Sequence, residues 1–541
     1  MPLTKAAKMK LADLIKKFIK NSFIVFGATL VLFFALEEIF FVLGFPQGGS
    51  RFVEIVLIKN KVPLKKAPGE VRIFTYGEST MYGAHYGTFS SPARWLDEYL
   101  TEFLPRKSIR VVNFARLGCS SHFVRQTVRQ TLVYQPDLMI FYVGHNGFLP
   151  KNTKEEIEAR SHTFLHQSQR WLQKSRFFSE LYRQILRFTV SDQSNRFSES
   201  KEADEIEVDP WIFSNQAVIS RMDHRYSVNL DYLKENLSQI IHLAKKNHIP
   251  VVFLKPVCNL KDFAPSYSVH MKSLTENELN QWNDAYQKGI EEERKNNVNS
   301  AEKKYQSAYR LDSTHADLCY RLGQISFQNK NYAAAKKFFE EARDNDAKIN
   351  RATGDILSIF KDMSKQENVL LVDTEEVLKG KVEGGILGEP VVEDNVHFSI
   401  EGHYLLGRAL ANVIADHHWI VPKTEWDFER EKPYDVLLQK FGGDKEELIS
   451  AYLLNIQYFG TRFENRIRLA QKILKLDPNN TKALRHLAWA YWLNGETDLA
   501  LKTYERLAET DPQSLLGVFR LRPQIKRACG RLRIPAPIGN M

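Results

Sequence analysis

Val71-Arg72-Ile73-Phe74-Thr75-Tyr76-Gly77-Glu78-Ser79-Thr80 is the stretch that decides the fold. A short apolar run rich in β-formers stops on a glycine, and a serine stands two positions beyond it. The theme repeats at Arg110-Val111-Val112-Asn113-Phe114, which leads to Gly118, and at Leu138-Met139-Ile140-Phe141-Tyr142-Val143, which leads to Gly144-His145-Asn146. Pro250-Val251-Val252-Phe253-Leu254 and Val369-Leu370-Leu371-Val372-Asp373 are two further runs of the same kind. Helical stretches separate them, among them Arg94 to Leu100 and Val124 to Tyr134. Buried strands alternating with helices predict an α/β fold with a parallel, helix-covered sheet. Such sheets bind ligands beyond the carboxyl ends of their strands, where the first three blocks fall.

A fourth block, Asp394-Asn395-Val396-His397, completes a set of parts for acyl transfer. A serine hydroxyl is a poor nucleophile until a neighbouring imidazole takes its proton. The imidazole needs an acceptor for its other ring N–H, and Asp394 can supply it if the loop turns both side chains to one side. The developing oxyanion needs donors fixed in advance: Gly118 leaves room for approach to its backbone N–H, and Asn146 presents an amide. Taken alone, Ser79 at a strand end reads as a helix N-cap. The order of the four blocks favours the catalytic reading.

These blocks resemble those of the SGNH or GDSL-type hydrolase superfamily, over residues 70–275 and 348–422. The resemblance implies a flavodoxin-like three-layer domain that hydrolyses esters. It assigns Ser79 as nucleophile, His397 as general base and Asp394 as its orienting partner. The oxyanion hole falls to Ser79 N–H, Gly118 N–H and the Asn146 amide. Two departures stand out: Gly77-Glu78-Ser79 replaces the usual Gly-Asp-Ser, and Gly147 stands where the third block commonly ends in an acid. His145 and His403 read as structural, and His122 stands close to Gly118 in the sequence. No Cys/His cluster at metal spacing, Walker loop or dinucleotide fingerprint is present, so no cofactor or metal is predicted.

Ahead of this region, Phe23 to Leu36 is almost wholly apolar, and Ile39 to Phe45 continues it after Glu37-Glu38. A membrane span needs about 20 residues. Phe18–Leu36, with Lys20 snorkelling, leaves both glutamates at the outer interface and is cheaper than Phe23–Phe45. Lys5, Lys8, Lys10, Lys16, Lys17 and Lys20 precede it, which predicts a cytoplasmic N-terminus and an extracytoplasmic (periplasmic, in a bacterium) catalytic domain. No small-residue cleavage site follows, so a retained anchor is expected. The expected divisions are 1–17 cytoplasmic, 18–45 anchor and 46–69 linker.

The 541 residues, 43% of them hydrophobic, suffice for more than one core. Lys and Arg number 75 against 65 Asp and Glu, a net charge of +10, and nothing resembles a nucleic-acid module. Part of the excess lies in a basic tail, 519–541. Cys119, Cys258, Cys319 and Cys529 are too scattered to read as a disulfide framework.

Gly289 and Gly323, Ala301 and Ala335, Tyr305 and Phe339, and Ala308 and Ala342 are each 34 residues apart, the tetratricopeptide (TPR) period. A second cluster carries Leu487, Ala488, Tyr491, Ala500, Tyr504 and Pro512, with Asp477-Pro478 recurring as Asp511-Pro512. A TPR-like insertion is therefore expected at 276–347 and a second TPR-like region at 430–518. The insertion leaves from the carboxyl end of a strand, so Lys255 to Pro265 is expected to rim the pocket. Ser161 to Val190, amphipathic and followed by the acidic run 199–209, reads as a lid, a membrane-docking helix or a helix packed on the body of the protein.

Together these features predict a membrane-anchored serine esterase or O-deacylase acting outside the cytoplasm on an acylated glycan or lipid, with a protein partner for the repeats. Two alternatives stay open. The same parts serve an O-acyltransferase modifying a cell-envelope polysaccharide, and the repeats could form a scaffold around a vestigial hydrolase core.

Overall fold

The computed structural model describes residues 5–43, 47, 49–84, 86, 90–161, 164–191, 217–440, 445–459 and 463–512. The acidic run 199–209 and the basic tail 519–541 lie outside the described residues. The chain forms two compact units: Met1–Lys66 with Thr127–Gln135 and Ile157–Asp204, and Ala67–Gln126 with Pro136–Glu156 and Glu205–Met541.

The first unit is helical. Helix Lys5–Val42 contains an apolar segment, Lys20–Val42, long enough to cross a membrane. Residues 46–69, expected to be a linker, include a formed helix, Arg51–Lys59. Ser50 caps it by accepting the Val53 N–H. Glu54 of that helix is buried and ion-paired with Arg183 (Nε–Oε2 3.0 Å), a long-range contact that no local pattern announces. Two more helices, Phe164–Lys174 and Arg176–Ser191, lie in this unit.

The second unit is built on five parallel strands: β1 (Glu70–Gly77), β2 (Ser108–Asn113), β3 (Leu138–Tyr142), β4 (Val251–Leu254) and β5 (Leu370–Val372), in the order β2-β1-β3-β4-β5. Ile73 of β1 is opposite both Val111 of β2 and Leu138 of β3. The strand order reverses at β1, creating the switch point where ligands of doubly wound sheets bind. Period-2 alternation sends Ile73, Ile140 and Val252 to one face, under helices Pro92–Phe103 and Ile400–Asp416. Trp95, Tyr99, Phe103, Leu406, Leu410 and Ile414 fill that layer; burying each such side chain is worth about 1.5–3 kcal/mol. The opposite face carries an aromatic row, Phe114, Tyr76, Phe141 and Phe253, which ends on Phe360 of helix Gly354–Glu367. A sheet with helix layers on both faces is the three-layer α/β architecture predicted.

Four helices between β4 and β5, Glu276–Arg294, Val298–Leu311, Ala316–Gln328 and Tyr332–Asp344, form two helical pairs. A Cβ on Gly289 would lie 2.4 Å from the Tyr305 ring, and one on Gly323 2.6 Å from the Phe339 ring. The 34-residue spacing is thus one small-against-aromatic contact made twice. Near the C-terminus Ala488 and Tyr504 share a core across helices Thr481–Leu493 and Thr497–Thr510, in the same positional relation.

Candidate active site

β1 ends at Gly77, where any Cβ would come within 2.4 Å of the Tyr142 carbonyl oxygen of β3. Glu78 then turns the chain in extended geometry, and Ser79 is the first residue of a short helix, Ser79–Tyr82. The Glu78 side chain is buried and accepts the N–H groups of Gly144 (3.1 Å), His145 (2.8 Å) and Asn146 (3.4 Å). One carboxylate therefore holds the loop after β3 against the loop after β1. Burial pushes its pKa up, against the pull of the three N–H groups, to about 7.

The fourth block closes on Ser79 from far along the chain. His397 Nε2 lies 2.7 Å from Ser79 Oγ, and His397 Nδ1 lies 2.6 Å from Asp394 Oδ2. The other Asp394 oxygen accepts the N–H groups of Val396 (2.9 Å) and His397 (2.8 Å), a tight turn that sets aspartate and histidine on one side. With Asp394 taking the Nδ1 proton, Nε2 is the ring atom left to accept from the Ser79 hydroxyl. All three side chains are buried.

The remaining predicted residues come from the ends of β2 and β3. Gly118 has φ +62°, and a Cβ there would meet nothing within 4 Å. The left-handed backbone suits glycine, and the space around it is open. Its loop is pinned to β1 by the Arg116 N–H donating to Gly77 O (3.1 Å). Asn146 Nδ2 is buried and has no acceptor among the described residues. Leaving such a group unsatisfied costs about 1–3 kcal/mol, which marks it as a donor held ready rather than one used in folding.

Asn152 escaped the sequence reading. Its Nδ2 donates to both Gly118 O (2.9 Å) and Asn146 O (3.0 Å), fixing the two loops relative to each other. A lone asparagine outside the four blocks carries no signal in sequence. The histidines read as structural have structural partners. His145 Nδ1 accepts the Ala352 N–H (3.1 Å); burial first, then the neighbouring His397, lowers its pKa to about 3 and keeps it neutral. His403 is buried against Ser90 Oγ (3.0 Å), and His122 engages Tyr232 OH (2.6 Å) and Arg125 (3.1 Å).

The Asp394–His397 loop is braced on two sides. Asn259 N–H donates to Asn395 O (2.9 Å), Leu260 N–H to Leu387 O (2.9 Å), and Asn259 Nδ2 to Val392 O (3.3 Å). The Lys255–Pro265 segment thus grips this loop, while Tyr320 OH of repeat helix Ala316–Gln328 donates to Lys261 O (2.7 Å). On the other side, Glu393 is buried between Tyr86 OH (2.6 Å) and Lys472 Nζ (2.9 Å), the latter from C-terminal helix Phe463–Leu476. Lys472 also pairs with Glu389 (2.9 Å). Among the described residues no group of three or more His, Cys, Asp or Glu side chains stands placed to hold a metal.

Residues 286–348 and 467–518 each match a family model described as tetratricopeptide repeat. The sequence matches none of the curated proteins with which it was compared. Solved structures similar to this chain include a GDSL-like lipase from Bacteroides thetaiotaomicron, at 10% identity and TM-score 0.31, covering 68% of this chain and 100% of the lipase. An acetylxylan esterase from Geobacillus stearothermophilus matches at 11% identity and TM-score 0.27, over 64% of this chain and 94% of the esterase. A lipase/acylhydrolase from Enterococcus faecalis matches at 10% identity and TM-score 0.27, over 67% and 100%.

Proposed function

We propose that this chain is a membrane-anchored serine ester hydrolase, an esterase or O-deacylase whose catalytic unit works outside the cytoplasm on an acylated glycan or lipid. The observation that carries the reading is the continuous relay from Ser79 Oγ through His397 to Asp394, at 2.7 and 2.6 Å. Ser79 oxygen attacks the ester carbonyl carbon while its proton passes to His397 Nε2. The tetrahedral oxyanion is held by Ser79 N–H, Gly118 N–H and Asn146 Nδ2. The carbon–oxygen bond to the alcohol breaks, and the departing oxygen takes the proton from Nε2. Water then attacks the acyl-serine, giving its proton to Nε2; the acid leaves and Ser79 recovers the proton. Asp394 holds the ring and steadies its charged form. The repeats are read as the docking site of a protein partner.

The test is the purified full-length chain on p-nitrophenyl acetate beside Ser79→Ala. Turnover is expected to fall about 10³-fold or more in the variant, and a fluorophosphonate to label Ser79 in the unaltered chain. No turnover and no label would overturn the reading. The near-complete burial of Ser79, 9% exposed, favours one second reading, O-acyl transfer to a sugar hydroxyl with water held out. Acetyl transfer to an added oligosaccharide that outpaces hydrolysis would select it.

A further inference from the structure

Helix Arg176–Ser191 leaves an apolar stripe uncovered while burying a charged side chain. It attaches to its own unit through polar and apolar groups: Arg183, 5% exposed, pairs with Glu54 (3.0 Å) and donates to Gln47 O (3.1 Å), with Ser179 and Leu186 also buried. Its outward face is apolar, with Ile185 51% exposed, Phe188 78% exposed and Leu181 between them on the helix surface. Trp171 and Leu172 on the preceding helix are also exposed. Buried charge with exposed large apolar groups reverses the usual arrangement in water and is the arrangement expected against lipid.

The turn joining these two helices sits on the apolar N-terminal helix. Glu37 accepts the N–H groups of Arg176 (3.0 Å) and Phe177 (3.0 Å) and the Ser175 hydroxyl. Phe33 stacks on Trp171 (6.2 Å between centroids), and Phe40 meets Phe177 edge-on (5.8 Å). From Lys20 to Glu37 a helix rises about 26 Å, close to the thickness of a bilayer's hydrocarbon core. Glu37 therefore fixes the turn at the far interface. Residues 164–191 carry five basic residues against one acidic, and, leaving aside Arg183, which Glu54 neutralises, the excess positive charge suits anionic headgroups.

We infer that Phe164–Lys174 and Arg176–Ser191 form an interfacial hairpin whose apolar face is seated in the membrane beside the span, a second attachment to lipid. This rests on reading the apolar helix as a membrane span that ends at Leu36, with Glu37 at the outer interface. The test places nitroxide labels on the full-length chain, with Cys529→Ser to remove the one cysteine outside the described residues, in phosphatidylcholine/phosphatidylglycerol vesicles. Labels at Leu181→Cys, Ile185→Cys, Arg187→Cys and Val31→Cys are compared for collision with oxygen and with a water-soluble nickel chelate. Labels at 181 and 185 are expected to favour oxygen at least threefold over the label at 187, as does the label at 31. Nickel access at 181 and 185 equal to that at 187, with 31 still lipid-exposed, overturns the hairpin alone. Nickel access at 31 as well overturns the span itself. Shielding of 185 from both reagents, with dipolar broadening between labels, overturns lipid in favour of a second copy of the chain.

Discussion

Glu78 is the residue whose role the sequence understated. Read as a tolerated replacement for aspartate, it is the acceptor that gathers three successive N–H groups of the loop carrying Asn146. Its folded pKa of about 7 lies above the ordinary glutamate value of 4.5, so the folded chain binds this proton more tightly than the unfolded chain does. The stability this adds is complete below pH 4.5 and is lost as pH rises through about 7. The unfolding midpoint of the wild type relative to Glu78→Gln, which does not titrate, is therefore expected to fall between pH 5 and pH 8; a wild-type midpoint that rises relative to the variant over that range would reject this account. Asn152 supports the same loop from the other side. Asn152→Ala removes the donor shared by Gly118 O and Asn146 O, at a cost of about 1–3 kcal/mol in stability. The loosened oxyanion donors should lower kcat on p-nitrophenyl acetate about 10- to 100-fold with KM nearly unchanged. A rise in KM with kcat intact would mean that Asn152 serves substrate binding instead.

At the scale of elements, helix Phe463–Leu476 braces the Asp394–His397 loop through Lys472. Burial alone would lower the Lys472 pKa, but Glu393 and Glu389 hold it well above the usual lysine value. Removing Lys472 strands the buried Glu393 carboxylate beside Asp394. Lys472→Met is expected to destabilise the chain by about 1–3 kcal/mol, discounted for the partial exposure of Lys472, and to slow turnover about tenfold. Adding Glu393→Gln removes the stranded charge and should recover most of both losses. Strict additivity in that double-mutant cycle would show that Lys472 and Glu393 are not coupled to each other and would reject this account. The repeat helices themselves were legible, because Gly289 with Tyr305 and Gly323 with Phe339 are contacts within a helical pair and recur at a fixed spacing. Their grip on the Asp394–His397 loop was not legible. It runs through Lys261, Asn259 and Lys472, residues with no periodicity to mark them.

For the molecule as a whole, the basic N-terminus followed by an apolar helix predicts a chain that alkaline carbonate does not strip from membranes. In sealed right-side-out vesicles a cysteine at Lys17 should be shielded from a membrane-impermeant maleimide, while one at the exposed Tyr267 is labelled. The opposite labelling would reverse the orientation. The sequence by itself determined what short-range physics controls: five apolar runs, three of them leading to glycines, a 34-residue period, a long apolar segment, and four blocks of suitable chemistry. Each is written in the order of neighbouring residues, because strand, helix and span form from local periodicity. Only the tertiary structure decided that His397 meets Ser79 across 318 positions, that Asn152 bridges two loops, and that helix Arg176–Ser191 turns its apolar side outward. Such contacts depend on which atoms long-range packing brings within hydrogen-bond reach, and no local pattern encodes that distance.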